Sequence, residues 1–333
     1  MLDGEDRLIA WLRRLDPQAP IGDDAAVLPS DAWAVTVDSQ IAGVHLVEPV
    51  DPALLARRLL AVNLSDLAAM GAQPAYVFVA LNGPPSFDRR ACLRALRDAL
   101  RPHAIQLAGG DLARHPTVSA TLTALGRRAS DGRWLRRDGG RPGDVVWLGG
   151  TVGEAAVGLE LVLCGARLRG ARVALPPDVA AWPRAHRRAA RRAVRRHQRP
   201  TPQLALGRWL ATSTPRGAAI DVSDGVARDL HRLCRASGVG ATIDAARLPA
   251  PAGLAALARQ RAASGDASIA HRQLHGGEDY VLLFTLPEDV EPPASCGCHA
   301  IGRLHGRRAG VRLRQPDGRV VPLAPDGWDH LGA

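Results

Sequence analysis

The apolar and polar positions of this chain recur with two different periods, and each period predicts a different kind of element. Apolar residues three to four positions apart predict helices at 53–71, 88–101, 152–164, 202–212 and 226–237. Short apolar runs that border acidic or glycine-rich turns predict strands at 33–39, 105–111, 118–126, 144–150, 218–225 and 278–286. Strands and helices therefore alternate along the chain, which predicts the α/β (α+β) fold class.

A change of pattern near residue 140 predicts a domain boundary. The Gly and Pro residues of RWLRRDGGRPGDVVWLGG, at 133–150, end one strand system before a new buried strand begins the next. The length of 333 residues is enough for two hydrophobic cores. We therefore expect domains at 1–140 and 141–333, with the acidic turns of both gathered between them.

Composition removes several classes of function. The chain has a net charge of +10, and all of its 43 basic residues are arginines. A P-loop, a protein-kinase fold and Schiff-base chemistry each need a lysine, so the sequence excludes all three. A protein of this composition that handles phosphates must use metals, backbone amides and arginines.

The densest basic run, HRRAARRAVRRHQR at 186–199, places pairs of arginines four residues apart along one side of a helix. A solvated helix face is the favoured interpretation, and an anion-binding or nucleic-acid-binding surface is the alternative. The N-terminus lacks the pattern of a signal peptide, and no apolar run approaches the roughly 18 residues of a membrane span. The five scattered cysteines are typical of reduced thiols. We expect a cytoplasmic protein with no nucleic-acid and no membrane partner.

Carboxylates in glycine-flanked or apolar contexts recur in both predicted domains. They are Asp23, Asp24, Asp38, Asp66, Asp111, Asp221, Asp224, Glu278 and Asp279. If these groups met without cations, their repulsion would raise their pKa values. Mg²⁺ removes that repulsion, because it takes oxygen ligands and commonly bridges carboxylates to substrate phosphates. Each fragment alone is more typical of a tight turn, but the whole set predicts a magnesium site for phosphorylated substrates.

One of these carboxylates interrupts an otherwise apolar helix, AVNLSDLAAMGA at 61–72. Helical spacing places Asn63 and Asp66 on the same face as Leu59 and Met70. A lone carboxylate there would be costly to desolvate, so Asp66 needs a partner. We expect that partner to be Mg²⁺, with Asn63 helping to satisfy the carboxylate.

The order of these fragments resembles the AIR synthetase-like family of ATP-using enzymes, in the branch that phosphorylates thiamine phosphate. The matching stretches are IGDDAAVL, VDSQIAGVHL, AVNLSDLAAMGA, LAGGD, AIDVSDG, LHGGEDYVLLFT, IGRL and GWDHL. They run from residue 21 to residue 331, so the resemblance covers nearly the whole chain. The stretches NLSDLAAMGA, GGEDY and GWDH are the most specific of them.

The resemblance implies an N-terminal AIR synthetase-like domain with a mixed sheet, which pairs with its twin in a homodimer, and a C-terminal α/β domain. It implies metal ligands at Asp24, Thr36, the backbone carbonyl of Val37, Asp38, Asp66, Asp111, Asp221 and Asp224. Of these, it gives Asp38, Asp66, Asp111 and Asp221 the catalytic role. Several Mg²⁺ ions would bind, and ATP would be the co-substrate.

Two further sets of positions carry over from the resemblance. Gly110, Arg137 and Ser223 match positions that contact ATP, and His45, Glu278 and Trp328 match positions that hold thiamine phosphate. The alternatives are a structural histidine at position 45, a C-terminal core anchor at Trp328 and one surface arginine among several at Arg137. The implied reaction gives thiamine diphosphate and ADP, and it needs no strong base because the acceptor phosphate is already an anion.

The chain departs from the family pattern at three positions. Val37 stands where Thr or Ser is usual, Gln203 where Arg is frequent, and Val281 where Glu is common. We expect these three departures to change the affinity for the substrates and not the reaction itself.

Rival functions need features that this chain lacks. A selenophosphate synthetase would need a reactive Cys and a lysine near the N-terminus, and the hydrogenase-maturation relative would end in a cysteine. AIR synthetase is chemically possible, but NLSDLAAMGA together with GWDHL is not expected in it. A basic nucleic-acid-binding protein would need aromatics for stacking beside the arginine run, and only Trp182 is near.

Overall fold

A computed structural model describes residues 4–28, 30, 32–261 and 269–327. Its α-helices are α1 (Gly4–Leu15), α2 (Pro52–Ala69), α3 (Arg89–Leu100), α4 (Glu154–Leu163), α5 (Pro177–Ala180), α6 (Arg184–Gln198), α7 (Leu204–Ser213), α8 (Val226–Ser237), α9 (Leu254–Arg261) and α10 (Ile269–His275). All five predicted helices are present. Their ends differ from the predicted ends by no more than two residues.

The strands in the described ranges form three sheets. They are β1 (Ala26–Val27), β2 (Trp33–Ile41), β3 (Gln73–Gly83), β4 (Gln106–Arg114), β5 (Ser119–Arg127), β6 (Val145–Leu148), β7 (Arg167–Arg169), β8 (Arg172–Ala174), β9 (Ala219–Asp221), β10 (Val239–Asp244), β11 (Leu282–Leu286), β12 (His299–Gly306), β13 (Val311–Arg314) and β14 (Val320–Pro322). The six predicted strands are confirmed. The last three of them are shorter than predicted. The fourth covers only Val145–Leu148, the fifth covers only Ala219–Asp221, and the last begins at Leu282 because the turn before it holds Glu278 and Tyr280 at positive φ.

The first sheet is mixed, as expected, with the strand order β1-β2-β5-β3-β4. Only β3 and β4 pair in parallel in this sheet, and the other neighbours are antiparallel. Ala120, Leu122 and Ala124 point to the buried face, while Val37 and Phe78 are exposed on the other face. Strand β4 is an edge strand, and every residue in it is exposed.

The second sheet has seven strands in the order β14-β13-β10-β12-β6-β11-β9. It is also mixed, because β10 and β13 are parallel and the remaining pairs are antiparallel. Leu148, Ile220, Leu230, Ile243 and Leu283 belong to its buried core. The short strand β9 at the end of this sheet places Asp221 beside the first half of the chain.

Both ends of helix α2 are defined by residues that favour a helix terminus. Asp51 caps it by accepting hydrogen bonds from the amides of Ala53 and Leu54, and Pro52 occupies the first turn. Gly71 follows the helix at φ +67°, a conformation that favours glycine. The helix packs against β2, β5 and α3 on one side and against α7 on another.

The contact between α2 and α7 joins the two halves of the chain. A Cβ atom on Gly207 of α7 would lie 2.0 Å from the carbonyl oxygen of Ala68, so only glycine permits this approach. The close packing brings the C-terminal turns of α2 to the end of β9. Asp66 and Asp221 meet as a consequence.

The arginine-rich run forms helix α6, which packs through a stripe of small residues. Ala189, Ala190, Ala193 and Val194 are buried on its inner side. No helix in the described part of the chain is long and apolar enough to cross a membrane.

Candidate active site

Three carboxylates from distant parts of the chain meet in one place. Asp24 precedes β1, Asp66 lies in α2, and Asp221 ends β9; one oxygen of each lies within 4.8 Å of the others. We call these three residues the carboxylate cluster. The sequence placed all three in one metal site, and the structure brings them together.

Hydroxyl groups and one guanidinium hold the carboxylate cluster. The Thr36 hydroxyl donates to Asp66, and the Ser65 hydroxyl donates to Asp221 at 2.6 Å. The Arg137 guanidinium donates two hydrogen bonds to Asp24, at 2.8 and 3.2 Å. Each carboxylate therefore has a fixed orientation, which is what a metal site needs from its surrounding groups.

The charges in the carboxylate cluster are unbalanced. Burial, followed by the charges of Asp38, Asp221 and Asp24, raises the pKa of Asp66 well above its ordinary value. Burial and then the charge of Asp24 raise the pKa of Asp221 in the same way. The donor atoms are all oxygens, which hard cations such as Mg²⁺ prefer. The residues present therefore fit a divalent cation.

The role expected for Asn63 is wrong. Its side-chain oxygen accepts a hydrogen bond from the backbone amide of Asp38 at 3.2 Å, and its amide group donates to the carbonyl of Leu59. Asn63 is completely buried, and both contacts are to backbone. The Asn63 side chain therefore links β2 to α2, and the side chain that donates a hydrogen bond to Asp66 is that of Thr36.

The other predicted metal ligands occupy three different settings. Asp38 lines the same cavity as the carboxylate cluster. Val37, whose backbone carbonyl is the expected ligand, is 58% exposed and is not among the residues that line the cavity. Asp224 also lines the cavity, but its carboxylate accepts a hydrogen bond from Arg232 at 2.5 Å. Asp111 and Gly110 lie in the exposed edge strand β4, and within one chain the structure does not bring them to the cluster.

The carboxylate cluster opens into a cavity of about 980 Å³. Helices α1 and α8 contribute one part of its wall, with Arg13, Arg232 and Arg235, and the loop before α8 contributes Ser223. Helices α4 and α10 contribute another part, which includes Glu160. The volume is large enough for two small phosphorylated molecules together.

A second group of charges lies beside the cavity, and we call Arg58, His197 and Glu278 the Glu278 network. Arg58 donates to one oxygen of Glu278, and Nδ1 of His197 lies 2.6 Å from the other. Burial raises the pKa of Glu278, but Arg58 and then His197 outweigh it and lower that pKa to about 2. His45 also lines the cavity, and its Nδ1 accepts a hydrogen bond from the Ile41 amide at 3.1 Å.

Sequence reasoning found Glu278 but missed Arg58 and His197. Arg58 stands next to the exposed Arg57, and nothing in the residue types distinguishes the two. Helical spacing offered one signal, because Arg58 falls on the same face as the buried Val62 and Ser65. The predicted substrate residue Trp328 lies outside the described residues.

Two of the departures from the family pattern lie close together. Gln203 accepts a hydrogen bond from the Leu282 amide at 2.7 Å and donates to the carbonyl of Gly149. Val281 is buried beside them. Gln203 thus links α7 to β11 and to the end of β6, which is a structural role.

Helix α6 uses several of its arginines within the chain. Arg192 pairs with Glu154, Arg195 donates to the carbonyl of Ala171, and Arg196 donates to the carbonyl of Asp279. These contacts support the interpretation as a structural helix with a solvated face.

Comparison with known proteins identifies the relatives of this fold. Residues 22–127 match the family model of the AIR synthase related protein, N-terminal domain. The thiamine-monophosphate kinase of Salmonella typhimurium is 36% identical over 336 residues, covering 96% of this chain and 93% of its own length. The corresponding enzyme of Aquifex aeolicus is 28% identical and covers 98% of both chains.

Solved structures agree with these relatives. The structure described as AaThiL complexed with AMPPCP and TMP superposes with a TM-score of 0.81 at 26% identity, covering 97% of this chain and 96% of its own. The thiamine-monophosphate kinase of Stenotrophomonas maltophilia gives a TM-score of 0.70 at 33% identity, covering 94% and 95%. The hydrogenase maturation protein HypE bound to ATP, at 16% identity and a TM-score of 0.66, shares the fold.

Proposed function

This chain belongs to the family of thiamine-monophosphate kinases, and we propose that its carboxylate cluster holds the Mg²⁺ ions that join ATP to thiamine phosphate. The reaction transfers the γ-phosphoryl group of ATP to the phosphate of thiamine phosphate, giving thiamine diphosphate and ADP. The observation that carries the metal assignment is the approach of three carboxylates, from both halves of the chain, to within 4.8 Å.

The side chains of the carboxylate cluster do the binding and orienting. Asp24, Asp66 and Asp221 supply anionic oxygens, while Thr36 and Ser65 hold two of these carboxylates in place. Mg²⁺ bound there would neutralise and align the phosphates. The acceptor is an anion already, so the site needs no general base, and the cavity contains no Ser-His-Asp or Cys-His arrangement among its described lining residues.

The two substrates are proposed to occupy different parts of the cavity. ATP would lie beside Arg137 and Ser223, in the part lined by α1 and α8. Thiamine phosphate would lie beside His45 and Glu278, with its phosphate towards the cluster. This arrangement places the donor and acceptor phosphates on either side of the metal ligands, as an in-line transfer requires.

We propose that the chain forms a homodimer through its first sheet. The exposed Val37 and Phe78 lie on one face of that sheet, and the fully exposed β4 lies at its edge. Exposed apolar faces and unpaired edges are surfaces that partners commonly cover. In such a dimer, Asp111 and Gly110 would reach the active site of the second copy.

Mixing two inactive variants tests the contribution of Asp111. If Asp111 acts across the interface, refolding Asp66→Asn together with Asp111→Asn places both changes in one site of each heterodimer and leaves the other intact. We expect about a quarter of the wild-type activity from a statistical mixture. Activity no greater than the sum of the two separate variants would refute the shared site.

We also propose that the chain divides near residue 140 and works in the cytoplasm. The first sheet ends with Arg127 and the second begins with Val145, which supports the division. All five cysteines are free thiols, which supports a reducing compartment.

An assay with purified protein tests the function directly. ATP, Mg²⁺ and thiamine phosphate should give thiamine diphosphate and ADP in equal amounts, and free thiamine should give no product. Omission of Mg²⁺ should abolish turnover. ADP release that does not depend on thiamine phosphate would contradict the proposal.

A further inference from the structure

We propose that Arg58 and His197 are positioning residues that fix Glu278 in the orientation that receives thiamine phosphate. This inference rests on the proposed function, because it takes Glu278 as a contact of that substrate. The Glu278 network lies between α2, α6 and the loop before β11. None of its three residues is among the proposed metal ligands or phosphate contacts described above.

The Arg58 side chain is buried, and its hydrogen bonds hold it in one orientation. Its side chain is 1% exposed, and each of its three nitrogens donates a hydrogen bond. The acceptors are the Gln40 side chain at 2.8 Å, the carbonyl of His197 and one oxygen of Glu278. Strand β2, helix α6 and the Glu278 loop are therefore held by a single side chain.

His197 closes the network from the last turn of α6. Its Nδ1 lies 2.6 Å from the second oxygen of Glu278, which is a close polar contact. The carbonyl of the same residue accepts from Arg58. Arg58, His197 and Glu278 thus contact one another pairwise, and none can move alone.

Glu278 has a backbone conformation that residues other than glycine rarely adopt. Its φ is +68°, and its backbone amide donates to the carbonyl of Ser223 at 2.7 Å. A glutamate in the left-handed region persists only where its surroundings fix it. Its side chain is 25% exposed, so part of the carboxylate faces the cavity.

The network leaves Glu278 as an acceptor of defined direction. The oxygen that faces Arg58 accepts its hydrogen bond and has a further lone pair for a substrate donor, while the buried second oxygen lies against His197. The charged or titratable groups that interact with Glu278 include Arg58, His197, His45 and Tyr280. The positive charge of Arg58 keeps the buried carboxylate ionised.

Removal of Arg58 should change substrate binding in a way that depends on pH. A buried carboxylate without its cation takes up a proton more readily, and a protonated Glu278 loses acceptor capacity. The affinity for thiamine phosphate should then fall as the pH falls. ATP, which lies elsewhere in the cavity, should bind as before.

Steady-state kinetics of four proteins test the inference: the wild type, Arg58→Met, Arg58→Lys and the matched control Arg57→Met. KM values for thiamine phosphate and for ATP are measured from pH 5.5 to 8.5. The ratio of variant to wild-type KM cancels the ionisation of the substrate phosphate. For Arg58→Met, the ratio for thiamine phosphate should reach about 10- to 100-fold at pH 6 and decrease towards pH 8.5.

The controls separate positioning from general damage. For Arg58→Met, the KM for ATP should stay within about two-fold of the wild type. Arg58→Lys keeps the charge and should restore a ratio that does not vary with pH. Arg57→Met, at an exposed position on the same helix turn, should match the wild type.

If Arg58→Met does not fold, as judged by its thermal transition, His197→Ala decides the question. It removes the side chain that contacts the second oxygen of Glu278 and should raise the KM for thiamine phosphate several-fold, again more at low pH. A ratio near one at every pH, or equal increases in both KM values, overturns the inference. A wild-type protein that does not phosphorylate thiamine phosphate would instead overturn the proposed function.

Discussion

The carboxylate cluster and the Glu278 network are both buried acidic sites, but they balance their charge in opposite ways. In the cluster, three carboxylates share one guanidinium, that of Arg137, and two hydroxyl donors. In the network, a single carboxylate has both Arg58 and His197. The first arrangement is complete only with added positive charge, while the second is complete within the chain.

The pKa values record this difference. Burial and neighbouring carboxylates raise the pKa values of Asp66 and Asp221, whereas Arg58 and His197 lower that of Glu278 to about 2 despite its burial. The balance of charge therefore distinguishes the carboxylate cluster, which suits a cation, from the Glu278 network, which suits a neutral hydrogen-bond donor. Perturbation of each site should have a different signature.

The largest effect is expected from Asp66→Asn, which removes a carboxylate from the cluster. Turnover should fall by at least about a thousand-fold, because the variant lacks one carboxylate of the proposed metal site. The metal-free variant should be no less stable to heat than the wild type, since one of three mutually repelling carboxylates is gone. Steady-state assays and thermal melts in EDTA measure the two outcomes.

The exposed Asp98, which forms an ion pair with its neighbour Arg97, provides the matched control. Asp98→Asn should leave turnover unchanged. An Asp66→Asn variant with normal turnover would remove Asp66 from the metal site, and one with a much lower melting temperature would assign it a structural role.

The second effect concerns stability against pH in metal-free protein. Burial raises the pKa of Asp279 to about 6 and that of Asp229 to about 7, in the same direction as the pKa values of the cluster. The folded state then binds more protons than the unfolded state, so the stability these groups contribute is lost as the pH rises from about 4 to 7. The loss from Asp279 alone is about 3 kcal/mol.

Addition of Mg²⁺ should distinguish the contribution of the carboxylate cluster to thermal stability from the contributions of Asp279 and Asp229. At pH 8, millimolar Mg²⁺ should raise the melting temperature of the wild type, and it should have little effect on Asp66→Asn. Glu278 contributes in the opposite direction, since its lowered pKa means that its stabilisation is lost as the pH falls from about 4.5 towards 2. A wild-type melting temperature that is indifferent to Mg²⁺ would contradict the proposed cluster chemistry.

The smallest effect is expected from Arg137→Gln, which removes the guanidinium that pairs with Asp24. Gln can still donate a single hydrogen bond to Asp24, so the site keeps its outline. We expect the KM for ATP to rise about ten-fold, with a smaller change in the KM for thiamine phosphate. Arg136→Gln, at the more exposed neighbouring arginine, is the control. Equal effects of the two substitutions would remove any special role from Arg137.

The sequence predicted the elements that carry the cluster because their patterns are local. The apolar period and the Asp51 cap define α2, and the run AIDVSDG defines β9 and the turn that follows it. Strand β3 was missed, since Pro74 at its start argues against a strand. Helix α6 was only partly predicted, because alanines rather than larger apolar residues form its buried side.

The partners within the site could not be predicted in the same way. Thr36 and Ser65 were not assigned to Asp66 and Asp221, because these hydrogen bonds depend on how α2 lies against β2 and β9. Asn63 was assigned to the wrong partner for the same reason. Arg58 was missed because a buried arginine and an exposed one look alike in a sequence.

Helix α2 carries Arg58 near its beginning and Asp66 near its end, eight residues and about 12 Å apart along one rigid axis. Since an unbroken helix hardly stretches, it holds the Glu278 network and the carboxylate cluster at a constant separation. Under the proposed function, this separation would match the distance between the part of thiamine phosphate that contacts Glu278 and its phosphate group. Analogues in which the arm between these two parts is longer or shorter should then reach only one of the two sites.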